Sequence, residues 1–416
     1  MSIEKIDTVV IGGGQAGIAM SEHLSNHNIS HVILEKSRVA EAWQSGRWDS
    51  LVANGPAWHD RFPNLEYSES GPNDFPGKEE VAAYLKKYAA KINAPIRVYV
   101  EVLSVERNTK NGRFFVKTSD GVLEAARVVV ATGPFQNPFI PPIIPTNAPV
   151  FQSHSFNYRK PKELIDGAVL VVGSGSSGVQ IAEELKRVGR KVYLSVGPHD
   201  RPPRRYRGRD FVWWLGVLGL WQAPVVEPNK EHVTIAVSGA NGGKTVDFRA
   251  LAHSGIELVG LTKSYHNGVL TFENDLKENI AKGDADYLKM LNMADEYVRQ
   301  TGIDLPDDPD ARKVLSDPAC LKNPITQLDL YRAGISSVIW ATGFKPDYSF
   351  LKLKALDDAG RPIHHRGISP ESGLYFLGLP WQSCRGSSFI YGVWQDAKYL
   401  ADQINIQRGY MNYRNT

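Results

Sequence analysis

Two glycine clusters carry the chemistry this chain can be expected to do. Gly12-Gly13-Gly14-Gln15-Ala16-Gly17 follows the apolar run Thr8-Val9-Val10-Ile11, and Gly173-Ser174-Gly175-Ser176-Ser177-Gly178 follows Ala168-Val169-Leu170-Val171-Val172. Both read G-x-G-x-x-G between a buried-strand pattern and a helical one, the arrangement that cradles a pyrophosphate. The first glycine permits a tight turn, the second lets backbone approach phosphate, and the third lets helix and strand pack closely. The helix start then offers free N–H groups and the positive end of its dipole. A chain that holds two dinucleotides is equipped to pass electrons between them.

The strands that follow make the two cradles unequal. Glu35 ends the first, 23 residues after Gly12, where a carboxylate can accept both ribose hydroxyls of an adenosine. The second runs into Ser195-Val196-Gly197 with no acid, and Arg201, Arg204, Arg205, Arg207 and Arg209 come next. Losing the acid removes repulsion toward a 2′-phosphate, and arginine supplies forked donors for it. The expectation is NADPH rather than NADH, read by Gly173, Gly175, Ser176, Ser177, Gly178, Ser195, Arg204 and Arg205, with the other arginines forming a solvated or interdomain loop.

The elements that must position these residues follow from pattern. Strand 8–11, helix 16–26 and strand 31–34 form one βαβ unit, and strand 168–172, helix 178–188 and strand 191–196 form a second. Between them the spacing predicts a helix over 79–92, a strand over 96–105, a β-meander over 113–117, 121–125 and 127–130, and a proline-rich linker over 134–149. Beyond the second unit it predicts strands near 233–236, 255–261, 335–340 and 374–377. Residues 274–300 read as two helices broken near Lys282-Gly283, and 392–407 as a C-terminal helix. With 416 residues, 42% of them hydrophobic, more than one core is expected. A net charge of +3 argues against nucleic acid as a partner, and no apolar stretch reaches the roughly 18–20 residues of a transmembrane span. Two distant cysteines, Cys320 and Cys384, fit a reducing, cytoplasmic setting and leave no C-x-x-C redox pair. No metal site is expected.

The chain resembles the single-component flavin-dependent monooxygenases, which include the flavin-containing monooxygenases, the plant YUCCA enzymes and the Baeyer–Villiger enzymes. Besides the two glycine clusters and Glu35, the likeness rests on Trp43-Gln44-Ser45-Gly46-Arg47-Trp48-Asp49, on Asp74-Phe75-Pro76-Gly77, and on the Ala-Thr-Gly tripeptides at 131–133 and 341–343. It extends to Gly373-Leu374-Tyr375-Phe376-Leu377-Gly378-Leu379. It implies an α/β protein with two Rossmann-like, three-layer dinucleotide-binding domains, a glutathione-reductase-like FAD domain interrupted by an NADP domain. The expected division is 1–159 and 326–416 for FAD, and 160–325 for NADP with a helical insertion. The likeness implies an FAD site of Gly12, Gly14, Gln15, Ala16, Gly17, Glu35, Lys36, Trp43, Arg47, Trp48, Val102, Thr132 and Gly133. One family signature departs here: His154 and Tyr158 fit it, but Ala148 and Val150 stand where Phe and Gly belong. That leaves His154 readable as a linker histidine satisfying backbone groups.

The resemblance further implies that NADPH reduces the flavin, that O₂ then adds at C4a as a (hydro)peroxide, and that one oxygen atom passes to a small organic substrate. Substrate-side candidates are Trp58, His59, Trp381, Gln382 and Tyr391. No dedicated acid–base pair stands out, since the cofactor carries the hard chemistry. The alternatives are an NADPH-dependent reductase serving a quinone or partner protein, and a redox-sensing flavoprotein. The apolar run 211–221 admits four readings: a core helix, a channel wall, a homodimer contact, or a segment resting on a membrane surface.

Overall fold

The computed structural model describes residues 3–224 and 234–413. Its first sheet has seven strands. Ile96–Val98, His31–Glu35, Glu4–Ile11 and Gly121–Val130 lie side by side and parallel, and Phe114–Thr118 and Val102–Arg107 continue as an antiparallel meander. Leu374–Phe376 returns from far along the chain to pair in parallel with Gly121–Val130. Val9 and Val10 are fully buried, as expected of a strand covered on both faces. One face packs against the helices Gln15–Asn26, Lys78–Lys91 and Ile390–Asn412, and the other against the meander and residues around Tyr348 and Leu351.

The second sheet has five parallel strands in the order Glu257–Val259, Val192–Ser195, Ala168–Val172, Ile335–Trp340 and Phe151–His154. The helices Ser176–Arg187 and Phe248–His253 cover one face. A small antiparallel sheet of Thr262–His266, Val269–Phe272 and Gln327–Asp329 covers the other. Each unit is thus a three-layer, Rossmann-like α/β fold. The second sheet reaches beyond the expected 160–325 insertion at both ends, because Phe151–His154 and Ile335–Trp340 pair with each other. A third apolar cluster joins Phe211–Val217 to the long helix Leu276–Thr301 through Phe211, Trp214, Leu215, Tyr287 and Leu291.

Four local expectations change. The strand expected over 96–105 is broken at Tyr99, whose φ is +58°, and its halves go to opposite ends of the sheet order. The two short strands at 121–125 and 127–130 are one, Gly121–Val130, because Ala126 does not interrupt the pairing with Glu4–Ile11. Leu276–Thr301 is a single helix of 26 residues: Gly283 makes room for the buried His199 ring rather than breaking the helix. Only the first part of the run 211–221 is helical; Phe211, Val212, Trp214 and Leu215 are buried in a core, and Phe211, Val212, Leu215 and Trp221 also line a cavity. The strand expected near 233–236 begins outside the described residues; Thr234–Ile235 pairs in parallel with His199–Asp200.

Candidate active site between two nucleotide cradles

The two glycine clusters fold alike, down to the backbone pairing around them. Gly12 N–H donates to Leu34 O at 2.9 Å and Gly173 N–H to Ser195 O at 3.1 Å. Both first glycines have left-handed φ, +115° and +116°, and both face the alanine of an Ala-Thr-Gly turn. A Cβ on Gly12 would lie 2.6 Å from Ala131 O, and one on Gly173 would lie 2.5 Å from Ala341 O. The tripeptides therefore shape the floor of each cradle. Gly17 and Gly178 pack directly on the carbonyls of Gly12 and Gly173. Neither following helix has a side-chain cap or an acid in its first turn, which leaves its N-terminal dipole for an anion.

In the first cradle, Gly14 faces open space, Gln15 is half-buried and Ala16 buried. Glu35 is held by two backbone donors, Gly13 N–H at 2.7 Å and Ser37 N–H at 2.8 Å. Arg47 lies over the Phe135 ring, 4.9 Å from its centroid, just after the Thr132-Gly133 turn. Burial pulls its pKa down to about 10, yet no carboxylate among the described residues pairs with it; its one hydrogen bond goes to Gly46 O at 2.9 Å. A largely desolvated cation beside an open glycine turn fits the pyrophosphate of an FAD. Gln136 fixes the turn by donating to Thr132 Oγ1 and Gly133 O, each at 2.9 Å.

The other expected FAD residues have varied surroundings. Lys36 is exposed. Trp43 packs between the cores of both units, and Trp48, 3% exposed, belongs to the core of the second with Leu51 and Tyr158. Val102 pairs with Thr118 in the meander; the backbone that meets the Glu35 strand end is Val100, whose N–H donates to Glu35 O at 2.9 Å.

In the second cradle, Gly175 caps the helix, Ser176 donates to Ile235 O at 3.1 Å, and Ser177 is half-buried. Ser195 faces inward: its hydroxyl donates to Gly260 O at 2.8 Å and accepts from Thr262 at 2.9 Å. Arg204, 1% exposed, forms a bidentate pair with Asp210, donates to Asn54 O at 2.5 Å and lies over Phe75. Arg201 pairs with Asp284, and Arg207 with Asp295 and Asp307. Arg205 is exposed and stands in no such pair among the described residues. The arginine loop is thus mostly internal fastening, with Arg204 binding the two units together.

The cradles meet across a seam. Gln15 Nε2 donates to Ser388 O at 3.4 Å, and Phe389 and Ser176 both line a cavity of about 190 Å³. Its walls are mainly apolar, from Phe211, Val212, Leu215, Trp221 and Val237, with Asn54, Gly55, Asp60 and Arg385 supplying polarity. Beside it His59 stacks on Trp221 at 4.9 Å and lies 4.7 Å from Tyr391 and 5.3 Å from Trp58. His59 Nδ1 bonds Asp60 at 2.9 Å while Nε2 is buried without a partner. Trp58, His59 and Tyr391 are therefore brought together. Gln382 is buried behind Gly367 and Phe376, and Trp381 stands under the Arg385 guanidinium. His154, 1% exposed, fastens the seam: its Nε2–H donates to Gly343 O at 2.9 Å and its Nδ1 accepts from Phe156 N–H at 3.0 Å. Burial lowers its pKa, which keeps the ring neutral for those bonds. Sequence reasoning reached Trp221 only as the end of a run that could wall a channel, and missed Arg385.

Paired cradles on two Rossmann-like units define a two-dinucleotide oxidoreductase fold, and comparison with known proteins agrees. Residues 9–207 match the pyridine nucleotide-disulphide oxidoreductase family. A CzcO-like oxidoreductase of Geobacillus kaustophilus is 36% identical over 403 residues, covering 96% of this chain and 98% of its own length. A probable indole-3-pyruvate monooxygenase of Arabidopsis thaliana, YUCCA1, is 32% identical over 194 residues, 45% of this chain and 46% of its own. A solved flavin-containing monooxygenase from Stenotrophomonas maltophilia superposes with a TM-score of 0.67 at 21% identity, over 98% of this chain and 100% of that one. The chain belongs to the CzcO-type oxidoreductases, to which it is related along almost its whole length. No helix among the described residues is long and apolar enough to cross a membrane.

Proposed function

We propose that the protein is an NADPH- and O₂-dependent flavin monooxygenase acting on a small organic substrate in the seam cavity. The observation that carries the reading is one mainly apolar cavity lined by Ser176 of the second cradle and by Phe389, whose neighbour Ser388 accepts from Gln15 of the first. Bound FAD, once reduced by NADPH, activates O₂, so that the substrate gains one oxygen atom and the other leaves as water.

The chain's own residues bind, orient and exclude water. Gly12, Gly14 and Gly17 with Arg47 hold the FAD pyrophosphate, and Glu35 takes the ribose hydroxyls. Gly173, Gly175 and Gly178 hold the NADPH pyrophosphate, and of the two loop arginines outside any ion pair among the described residues, Arg209 lies over Trp213 and Arg205 meets a 2′-phosphate. Phe211, Val212, Leu215, Trp221 and Phe389 keep the cavity dry, which strengthens every electrostatic contact inside it. The cysteines do not form a dithiol for disulfide exchange: Cys320 is buried and Cys384 half-buried, and both are free.

The test is turnover of the FAD-loaded protein with NADPH and isotopically heavy O₂ over a panel of amines, sulfides, ketones and ring compounds. A product heavier by one labelled oxygen is expected. NADPH oxidation that returns all oxygen as hydrogen peroxide, with every acceptor, would favour the reductase reading instead.

A further inference from the structure

We propose that Arg385 anchors the anionic head of a carboxylate-bearing substrate whose apolar body fills the seam cavity. The inference deepens the monooxygenase reading and rests on it for the identity of the reaction, though not for the binding.

The seam cavity is one chamber of a longer cleft. A neighbouring cavity of about 260 Å³ shares Phe211, Leu215, Ile235 and Arg385 with it, which places Arg385 at the waist between the two. The inner chamber offers Val212, Trp221, Val237 and Phe389 to an apolar body. The outer one adds the charges of Asp200, Asp286, Arg201 and Lys289, while the inner one has Asp60 on its wall, held to His59 Nδ1.

Among the described residues Arg385 stands in no ion pair. Its Nε is buried with no hydrogen-bond partner, and no carboxylate among the described residues lies within ion-pair distance of it. Burial lowers its pKa, yet a guanidinium stays charged in any protein. Asp200 favours its charge from a distance but forms no ion pair with it. Asp200 is hydrogen-bonded to Asp286, and burial with that bond pushes its carboxyl up to about 6. Arg201 is occupied by Asp284 at 2.6 Å. A half-buried guanidinium with a buried, unbonded Nε among the described residues is poorly solvated, and a ligand carboxylate would meet it with a planar, bidentate match.

The arginine is also held for the task. Arg385 N–H donates to Ala223 O and Gly386 N–H to Trp221 O, both at 3.2 Å, which pins this turn to the loop that supplies the Trp221 wall. Ser387 Oγ accepts from the N–H groups of Ser383 and Cys384 at 3.0 and 3.1 Å. The guanidinium lies 5.1 Å from the centre of the Trp381 ring, and Trp381 itself has φ +55°. A bulky residue held in the left-handed region marks a place the surrounding structure over-determines, as ligand clamps often are.

The probe is 3-(phenylthio)propionate, an apolar sulfide with a carboxylate, against its neutral methyl ester, with binding measured calorimetrically on the FAD-loaded protein. The acid is expected to bind at least about tenfold tighter than the ester, the range of a charged hydrogen bond. Arg385→Gln should abolish that preference while leaving the ester and the NADPH KM unchanged, and Arg385→Lys should keep part of it. Arg385→Gln should also unfold no more easily than the parent, since it removes an unpaired charge; a lower unfolding temperature would mean a structural partner and overturn the proposal. Equal binding of acid and ester by the parent would overturn it too, as would a raised NADPH KM in Arg385→Gln with the acid preference intact. Arginine-dependent binding without oxygen transfer to the sulfur would leave this proposal standing and count against the monooxygenase reading.

Discussion

Arg204 and Arg205 are adjacent, equally basic and equally suited by type to a 2′-phosphate, yet the fold gives them opposite tasks. Arg204 is buried in a bidentate pair with Asp210, whose carboxylate also caps the helix at Val212 N–H. Removing one partner of a buried pair strands the other, so Arg204→Ala should lower stability by about 3 kcal/mol in a denaturant titration. Arg205→Ala should leave that titration unchanged and raise the KM for NADPH more than for NADH; equal effects on both coenzymes would remove it from the phosphate site. His23 makes a second residue-scale prediction. It is buried against Trp394 with its Nε2 unpartnered, and burial pulls its pKa from 6.5 to about 4. The unfolded chain therefore binds the extra proton first as pH falls. Stability present above pH 6.5 should be lost between there and pH 4, by up to about 3 kcal/mol. His23→Phe should flatten that slope, and an unchanged slope would assign it to other groups. The residue-level signal that did survive folding is the acid. Gly12 and Gly173 pair with Leu34 and Ser195. The next residues, Glu35 and the buried Val196, are therefore equivalent, and the second cradle lacks its carboxylate as the spacing indicated.

At the scale of elements, the strongly periodic βαβ segments were legible and the irregular ones were not. The first helix and strands fall within a few residues of expectation because turn glycines and continuous apolar runs bound them on both sides. Alternation over 96–105 looked like one strand because period two cannot register the single left-handed residue, Tyr99, that sends its halves apart. Gly283 misled for a related reason: a glycine in a helical pattern signals a break unless something needs its missing side chain. Here a Cβ would lie 2.7 Å from His199 Nε2, a ring that is fully buried. An Ala in a helix interior ordinarily gains up to about 1 kcal/mol over Gly. Gly283→Ala should instead destabilise by about 1–3 kcal/mol through overpacking, read from thermal unfolding. A gain in stability would show that the His199 ring has somewhere to move.

For the whole molecule, the near-equivalence of the two cradles makes their difference in cargo testable. Gly12→Ala and Gly173→Ala impose the same clash, against Ala131 O and Ala341 O, at the same left-handed φ. Gly12→Ala should purify without flavin colour. Gly173→Ala should keep its flavin and lose rapid flavin reduction by NADPH; loss of flavin from both would mean that the cradles fold as one unit and not as separate sites. The sequence by itself determined that there are two cradles, that only one carries an acid, and which fold class holds them, because glycine geometry and apolar periodicity are local properties. It could not determine what the Ala-Thr-Gly turns do, which arginines are free, or that Trp221 and Arg385 share a cavity. Those depend on segments 150 or more residues apart meeting at one seam, as Arg204 meets Asn54, Trp221 meets Gly386 and His154 meets Gly343. Only packing decides which charges find partners within the chain and which are left for a ligand.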